Sequence, residues 1–141
     1  MRATSGGATE TEQPSYKAKA LLTDNELEFL IRLESAVPEL RICPQVAMGA
    51  ILDPAVSRKH DPKRYFKLRG AFAQNIIDFV AMDRRSGAII AIIELDDRTH
   101  SVEKDAKRDA MLSSAGYRSI RWQSKAKPDT ATIRRELLGA D

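Results

Sequence analysis

The sequence predicts a mixed α/β fold in which helices pack against one central sheet. Helical and strand periodicities follow each other in the order helix, strand, hairpin, helix, strand, helix. The chain has 141 residues with an ordinary apolar content, which fits one domain with its own core. We therefore expect a single domain over residues 21–141. Residues 1–20 are polar, show no periodicity, and predict a disordered leader or tether.

The first predicted helix follows Thr23, which has capping-box spacing to Glu26, and it ends at Pro38. Its apolar residues are expected to form one buried face, comprising Leu27, Leu30, Ile31, Leu33 and Val37. Residues 40–52 predict a strand, and Pro44 within it favours a sheet edge or a bulge.

The remaining elements lie on either side of a central hairpin. The basic stretch 57–69 predicts a loop or short helix. Strands are expected at 75–83, 88–96 and 117–122, and helices at 101–116 and 128–138. For the helix at 101–116, the expected apolar stripe is formed by Val102, Ala106 and Ala110.

Composition bounds the class of protein. The formal net charge is +3, which is compatible with a nucleic-acid partner without requiring one. Cys43 is the single cysteine, so it predicts a small packed hydrophobe rather than a disulfide. No apolar stretch is long enough to span a bilayer, and no signal peptide is evident, so a cytoplasmic location is expected.

The central hairpin can be placed in register from its turn. A three-residue loop at 85–87, with Gly87 at positive φ, would set Arg84 opposite Ala88. Counting back along the strands then places Asp78 opposite Glu94. Side chains alternate with period two, so Asp96 shares their face of the sheet, while Asp97 points to the other face.

Carboxylates clustered at the end of apolar strands need compensation. They can share a proton, pair with a neighbouring Lys or Arg, or bind a cation. Hard divalent cations such as Mg²⁺ or Mn²⁺ prefer oxygen ligands, which favours a metal at Asp78, Glu94 and Asp96. Asp97 could instead cap the helix that follows, and His100 could act as a metal ligand or an acid/base group.

The stretches "IIDFVAMD", "AIIELDDRTH" and "KRDAMLSSAGYRSIRW" resemble the PD-(D/E)XK, or restriction-endonuclease-like, superfamily. They look closest to its domain-of-unknown-function family 2726 branch, and they are also similar to very-short-patch-repair-type endonuclease domains. The resemblance implies a three-layer α/β/α fold with a central mixed sheet. It maps Asp78 to the first acid of the motif and Glu94 to the second.

One position departs from the pattern of that superfamily. The residue two after the second acid is usually Lys, and here it is Asp96. Asp96 could serve as a third metal ligand or as a base, and His100, Lys104 or Lys107 could replace the missing cation.

The resemblance implies a metal-dependent nuclease acting on DNA, with Mg²⁺ or Mn²⁺ as cofactor. The expected catalytic residues are Asp78, Glu94, Asp96 and His100. The expected nucleic-acid contacts are Arg58, Lys59, Lys63, Arg64, Lys104 and Arg108. Two alternatives remain open at this stage: a catalytically inactive nucleic-acid-binding domain of the same fold, and a protein-interaction module.

Overall fold

A computed structural model describes residues 14–97 and 102–139 of the chain. The helices of this part are α1 (Asp24–Ala36), α2 (Pro62–Phe72), α3 (Val102–Ser114) and α4 (Thr130–Leu138). The strands are β1 (Leu40–Ala47), β2 (Ile76–Asp83), β3 (Ile89–Asp96) and β4 (Ser119–Gln123). Short 3-10 turns follow β1 at Met48–Ala50 and β4 at Ser124–Ala126. Residues 14–22 precede the first helix without regular structure.

The four strands form one mixed sheet in the order β1-β2-β3-β4. The pairs β1/β2 and β2/β3 are antiparallel, whereas β3 and β4 are parallel and joined through α3. One apolar cluster joins α1 and α4 to the sheet, and a second joins α2 and α3. The predicted α/β fold, with helices on both faces of a central sheet, is therefore confirmed. No helix within 14–97 and 102–139 is long and apolar enough to cross a membrane.

The start of α1 was predicted correctly, and its buried face was predicted in part, because Leu33 and Val37 are buried and Leu30 packs against the core. Thr23 and Glu26 form the reciprocal capping box. The buried positions are Phe29, Leu33 and Ala36, whereas Ile31 is 59% exposed. Leu27 is also exposed. Spacing by four and three residues turns Phe29, rather than its neighbours, toward the sheet, where its ring meets Phe79 and Trp122 edge-on.

β1 is an edge strand, as Pro44 predicted, and it ends at Ala47 rather than continuing to residue 52. Its pairing with β2 skips Gln45, whose φ is 54°. The interruption lies opposite Asp78, between the pairs formed by Pro44 and Val46. The sheet is therefore irregular beside Asp78, the first of the predicted acids.

The β2/β3 hairpin corrects the predicted turn. The Asp83 N–H donates to the Ala88 carbonyl, so four residues, Arg84 to Gly87, form the loop. Arg84 therefore does not face Ala88. Gly87 has the predicted positive φ, at 76°. A register shift beside Ala81 then leaves Ile90 as an extra residue on β3, which cancels the longer loop.

The face that α3 turns toward the sheet is charged rather than apolar. Val102 is 83% exposed, and Ala106 and Ala110 are also exposed, so the predicted stripe is wrong. The buried or half-buried side includes Asp105, Arg108 and Asp109, followed by Leu112. These charged side chains are tolerated there because the strands beneath them end in carboxylates and an arginine.

Candidate active site

Asp78 and Glu94 lie where the backbone pairing of β2 and β3 gives way to side-chain bonds. Phe79 pairs with Ile93, which places Asp78 opposite Glu94 one residue further on, as predicted. The Asp78 backbone N–H donates to Glu94 Oε2 at 3.0 Å. The Leu95 N–H in turn donates to Asp78 Oδ2 at 2.8 Å. Each carboxylate therefore bonds to the backbone of the opposite strand.

Both acids lie in surroundings that disfavour their ionised forms. Glu94 is 3% exposed, and burial together with the charge of Asp78 raises the pKa of Glu94 to about 7. Burial also raises the pKa of Asp78, against the opposing effect of the Leu95 N–H bond. The pair consequently retains a proton more strongly than ordinary carboxylates do. A bound cation would instead stabilise the ionised form of the pair.

Arg108 of α3 compensates part of this negative charge. Its guanidinium donates to Glu94 Oε1 and, at 2.9 Å, to the Ile76 carbonyl. Its side chain is 17% exposed, so the group lies against the sheet rather than in solvent. The Arg108 Nε is buried without an acceptor among the described residues. Arg108 is thus a fixed cation beside the acid pair.

Asp96 belongs to a neighbouring ionic cluster centred on Arg121. The Arg121 guanidinium donates to Asp96 at 2.9 Å and to Asp109 at 2.7 Å. Asp105 lies 3.7 Å from the same guanidinium. The parallel register, which pairs Glu94 with Arg121, puts this side chain on the carboxylate-bearing face of the sheet. Asp96 is therefore held by an arginine.

The structure brings together only part of the predicted site. Asp78 and Glu94 meet directly, whereas Asp96 binds Arg121. In the ranges 14–97 and 102–139, no three Asp, Glu, His or Cys side chains are grouped to hold a metal ion. His100 lies outside the described residues. Asp97 is exposed at the end of β3.

The predicted nucleic-acid contacts fall into two groups. Exposed cations lie on α2, on the loop before it and at the start of α3, namely Arg58, Lys59, Lys63, Arg64 and Lys104. Arg108 belongs instead to the interior of the acid site, bound to Glu94.

Arg121 and Asp109 are site residues that sequence reasoning did not identify. A signal for them was present. Asp105, Arg108 and Asp109 have the three- and four-residue spacing of one helical face, and that face directly follows a strand that ends in acids. Charged residues at such spacing can mark a helix face that packs on a charged site, which is why the expected apolar stripe was misplaced.

Comparison with known proteins places the chain among relatives. Residues 18–140 match the family described as "Protein of unknown function (DUF2726)". The chain belongs to this family. A relative of this DUF2726 protein in Haemophilus influenzae, described as "Uncharacterized protein", is 32% identical over 104 residues. The match covers 71% of the present chain and 50% of the relative, so the chain spans about half the length of that protein. No solved structure matches the chain significantly.

Proposed function

We propose that the protein is a metal-dependent nuclease of the restriction-endonuclease-like superfamily that hydrolyses phosphodiester bonds of DNA. The observation that carries this proposal is the direct opposition of Asp78 and Glu94 at the point where β2 and β3 stop pairing. A buried and a half-buried acid that meet with raised pKa values are unfavourable unless they act together on a proton or a cation.

The residues of this pair fit a divalent cation. Mg²⁺ is commonly held in proteins by one or two carboxylates, with water and substrate phosphate completing its ligands. Asp78 and Glu94 would supply the carboxylates, and Mn²⁺ would fit the same oxygen set. When bound, the metal would activate a water molecule and neutralise charge on the scissile phosphate.

The chain's own residues supply the remaining functions. Arg108 places a positive charge beside Glu94. Related nucleases usually have this charge as a Lys two residues after the second acid, where the present chain has Asp96. Without a metal, burial and the charge of Asp78 raise the pKa of Glu94 to about 7, so a proton competes with a cation for this carboxylate near neutral pH. The exposed cations on and before α2 would bind flanking phosphates and position the substrate.

The second candidate is a nucleic-acid-binding domain of the same fold without catalytic activity. It is favoured by the arginines, because Glu94 is paired with Arg108 and Asp96 with Arg121. Such pairing compensates the acids without a metal. In this case salt-sensitive DNA binding would persist without metal and would survive neutralisation of Asp78.

The test is a plasmid-nicking assay with Mg²⁺ or Mn²⁺. Asp78→Asn and Glu94→Gln keep side-chain shape but remove charge, and each is expected to abolish nicking. Glu34→Gln, at an exposed position on α1, is the matched control and is expected to cut like wild type. No metal-dependent nicking by the wild type would reject the nuclease, and metal-free DNA binding would then support the second candidate.

A further inference from the structure

A separate feature lies on the solvent face of α2, where an aromatic ring stands among cations. Phe66 is 51% exposed, unlike the half-buried Tyr65 and Leu68 that turn toward the protein. The Arg58 guanidinium lies over the Phe66 ring, 5.1 Å from its centroid. The Tyr65 ring supports Phe66 edge-on, with centroids 5.2 Å apart. The ring is therefore both exposed and held in position.

The charges around Phe66 are mainly positive. Arg58 and Lys59 precede the helix, and Lys63, Arg64 and Lys67 lie on it, all exposed. None of these five cations forms an ion pair with another residue of 14–97 or 102–139. Lys63, Arg64 and Lys67, with Asp61, line a surface cavity of about 260 Å³. The Asp61 carboxylate is engaged as the helix N-cap, bonded to the Arg64 N–H.

Gly70 lies one helical turn after Phe66 on α2 and carries no side chain. A helical side chain leans toward the N-terminus, so the residue at 70 would lie over the residue at 66. Gly70 provides no side chain, and a Cβ placed there would meet nothing within 4 Å. Glycine inside a helix costs stability relative to alanine, roughly 1 kcal/mol. The sequence thus keeps an unfavourable residue at an open position one helical turn after Phe66.

We propose that this surface, formed by Arg58, Phe66, Gly70 and the surrounding lysines, binds single-stranded nucleic acid. An unpaired base would stack on the open face of Phe66 beside Gly70. Arg58, Lys63 and Lys67 would hold the neighbouring phosphates. An exposed aromatic ring in a cationic groove is the general arrangement by which proteins bind unpaired bases without reading sequence.

The chemistry of the surface selects this partner. A duplex presents phosphates but no free base face, so it would engage only the cations. The inference deepens the nucleic-acid part of the proposed function, because α2 ends at Phe72 and the chain enters β2, which carries Asp78, at Ile76. Three residues of connection therefore separate the helix that carries the surface from the strand that carries Asp78.

The experiment measures binding of the full chain by fluorescence anisotropy in EDTA, where cleavage cannot interfere. The probes are labelled oligothymidylate, oligouridylate and a mixed-sequence DNA duplex of the same length. Phe66→Leu keeps an apolar side chain without the ring, and Phe66→Tyr keeps the ring. Gly70→Leu covers the ring without removing any charge, and Gly70→Ala is its small-residue control. Ile31→Ala removes an exposed apolar side chain from α1, on the other face of the sheet.

Phe66→Leu and Gly70→Leu are expected to weaken single-strand binding about 5- to 100-fold, the usual effect of losing one stacked base. Duplex affinity should stay within about twofold, because phosphate contacts persist. Phe66→Tyr, Gly70→Ala and Ile31→Ala should bind like wild type. Circular dichroism establishes that each variant is folded.

Three results would overturn the surface: no binding of either single strand, no effect of Phe66→Leu, or equal losses for single strand and duplex. The binding surface and the nuclease activity can be supported or rejected independently of each other. Phe66-dependent binding by a protein that never nicks DNA supports the surface and rejects the nuclease. Nicking that depends on Glu94, together with binding that does not depend on Phe66, supports the nuclease and rejects the surface.

Discussion

The Asp78 and Glu94 carboxylates each accept a hydrogen bond from the backbone of the opposite strand. This arrangement holds two like charges together inside a sheet, where repulsion would otherwise separate them. Burial and the charge of Asp78 raise the pKa of Glu94, and burial raises the pKa of Asp78. Stability, the proposed metal binding and the role of Arg108 all depend on this pair.

The pair makes stability fall as pH rises toward neutrality. In the unfolded chain Glu94 ionises near its ordinary pKa of 4.5, and in the folded protein near about 7. Between these values the folded state binds more protons than the unfolded state, so the free energy of unfolding decreases with pH. We expect a loss of about 1–3 kcal/mol across this window.

Urea unfolding in EDTA at several pH values from about 4.5 to 8 measures this loss. Glu94→Gln, which cannot ionise, should show a flatter profile than wild type. Glu28 and Glu39, whose pKa values are lowered, contribute mainly at lower pH, so they leave this window clear. Parallel profiles for the two proteins would show that Glu94 titrates normally.

Arg108 should stabilise the fold by an amount that depends on pH. Arg108→Met removes the cation from Glu94 and leaves an ionised acid buried beside Asp78. Breaking a buried pair in this way is expected to cost roughly 3 kcal/mol at about pH 8. The cost should be smaller at about pH 5, where Glu94 is protonated in the folded protein.

Denaturant unfolding at the two pH values provides the measurement. Lys107→Met, an exposed position on the same helix, is the control and should change stability by less than about 0.5 kcal/mol. In the double variant with Glu94→Gln, most of the cost of Arg108→Met should disappear, because the acid it compensates is gone. A pH-independent loss that persists in the double variant would contradict this interpretation.

Arg121 should be as important for stability as any site residue. Arg121→Met removes the guanidinium that bonds to the buried Asp96 and that also lies beside Asp105 and Asp109. We expect a loss of roughly 3–5 kcal/mol by denaturant unfolding. Arg41→Met, at an exposed position on β1, is the control. Asp96→Asn should restore part of the stability of Arg121→Met, and no such rescue would contradict a structural role for this pair.

The sequence located the acid pair through two errors that cancelled. The predicted loop was one residue too short, and the extra residue at Ile90 on β3 restores the register at Asp78 and Glu94. The position of the turn could be predicted from sequence because a glycine, Gly87, marks the residue with positive φ. The bulge could not be predicted in this way, because it depends on how Ile89 and Ile90 fit against neighbouring strands rather than on residue type.

The partners of Glu94 and Asp96 depend on tertiary structure in the same way. Arg121 reaches Asp96 because β4 pairs in parallel with β3, and strand periodicity alone does not specify that pairing. Arg108 reaches Glu94 because α3 packs its charged face on the sheet. Local patterns therefore identified helices, strands and acids, whereas neighbouring elements determined what the acids bind.

The corrected face of α1 gives a direct test of packing. Phe29→Ala removes a fully buried ring that contacts Phe79 and Trp122, and should cost about 3–5 kcal/mol. Ile31→Ala, in the same helix but 59% exposed, should cost less than about 1 kcal/mol. Denaturant midpoints of the two variants make the comparison. Similar losses would mean that α1 packs on the face predicted from sequence.

Metal addition should reverse the penalty that the acid pair imposes at neutral pH. A cation that binds Asp78 and Glu94 in the native state raises the melting temperature by mass action, more at higher metal concentration. We expect Mg²⁺ or Mn²⁺ to stabilise wild type at about pH 8 and to have a weaker effect at about pH 5, where protons compete for the same oxygens. Glu94→Gln should show no metal-dependent shift at either pH, and Glu34→Gln should behave like wild type. Because Arg108 and the cation would share Glu94, Arg108→Met should respond to lower metal concentrations than wild type. An equal response of wild type and Glu94→Gln would place any bound metal elsewhere on the protein.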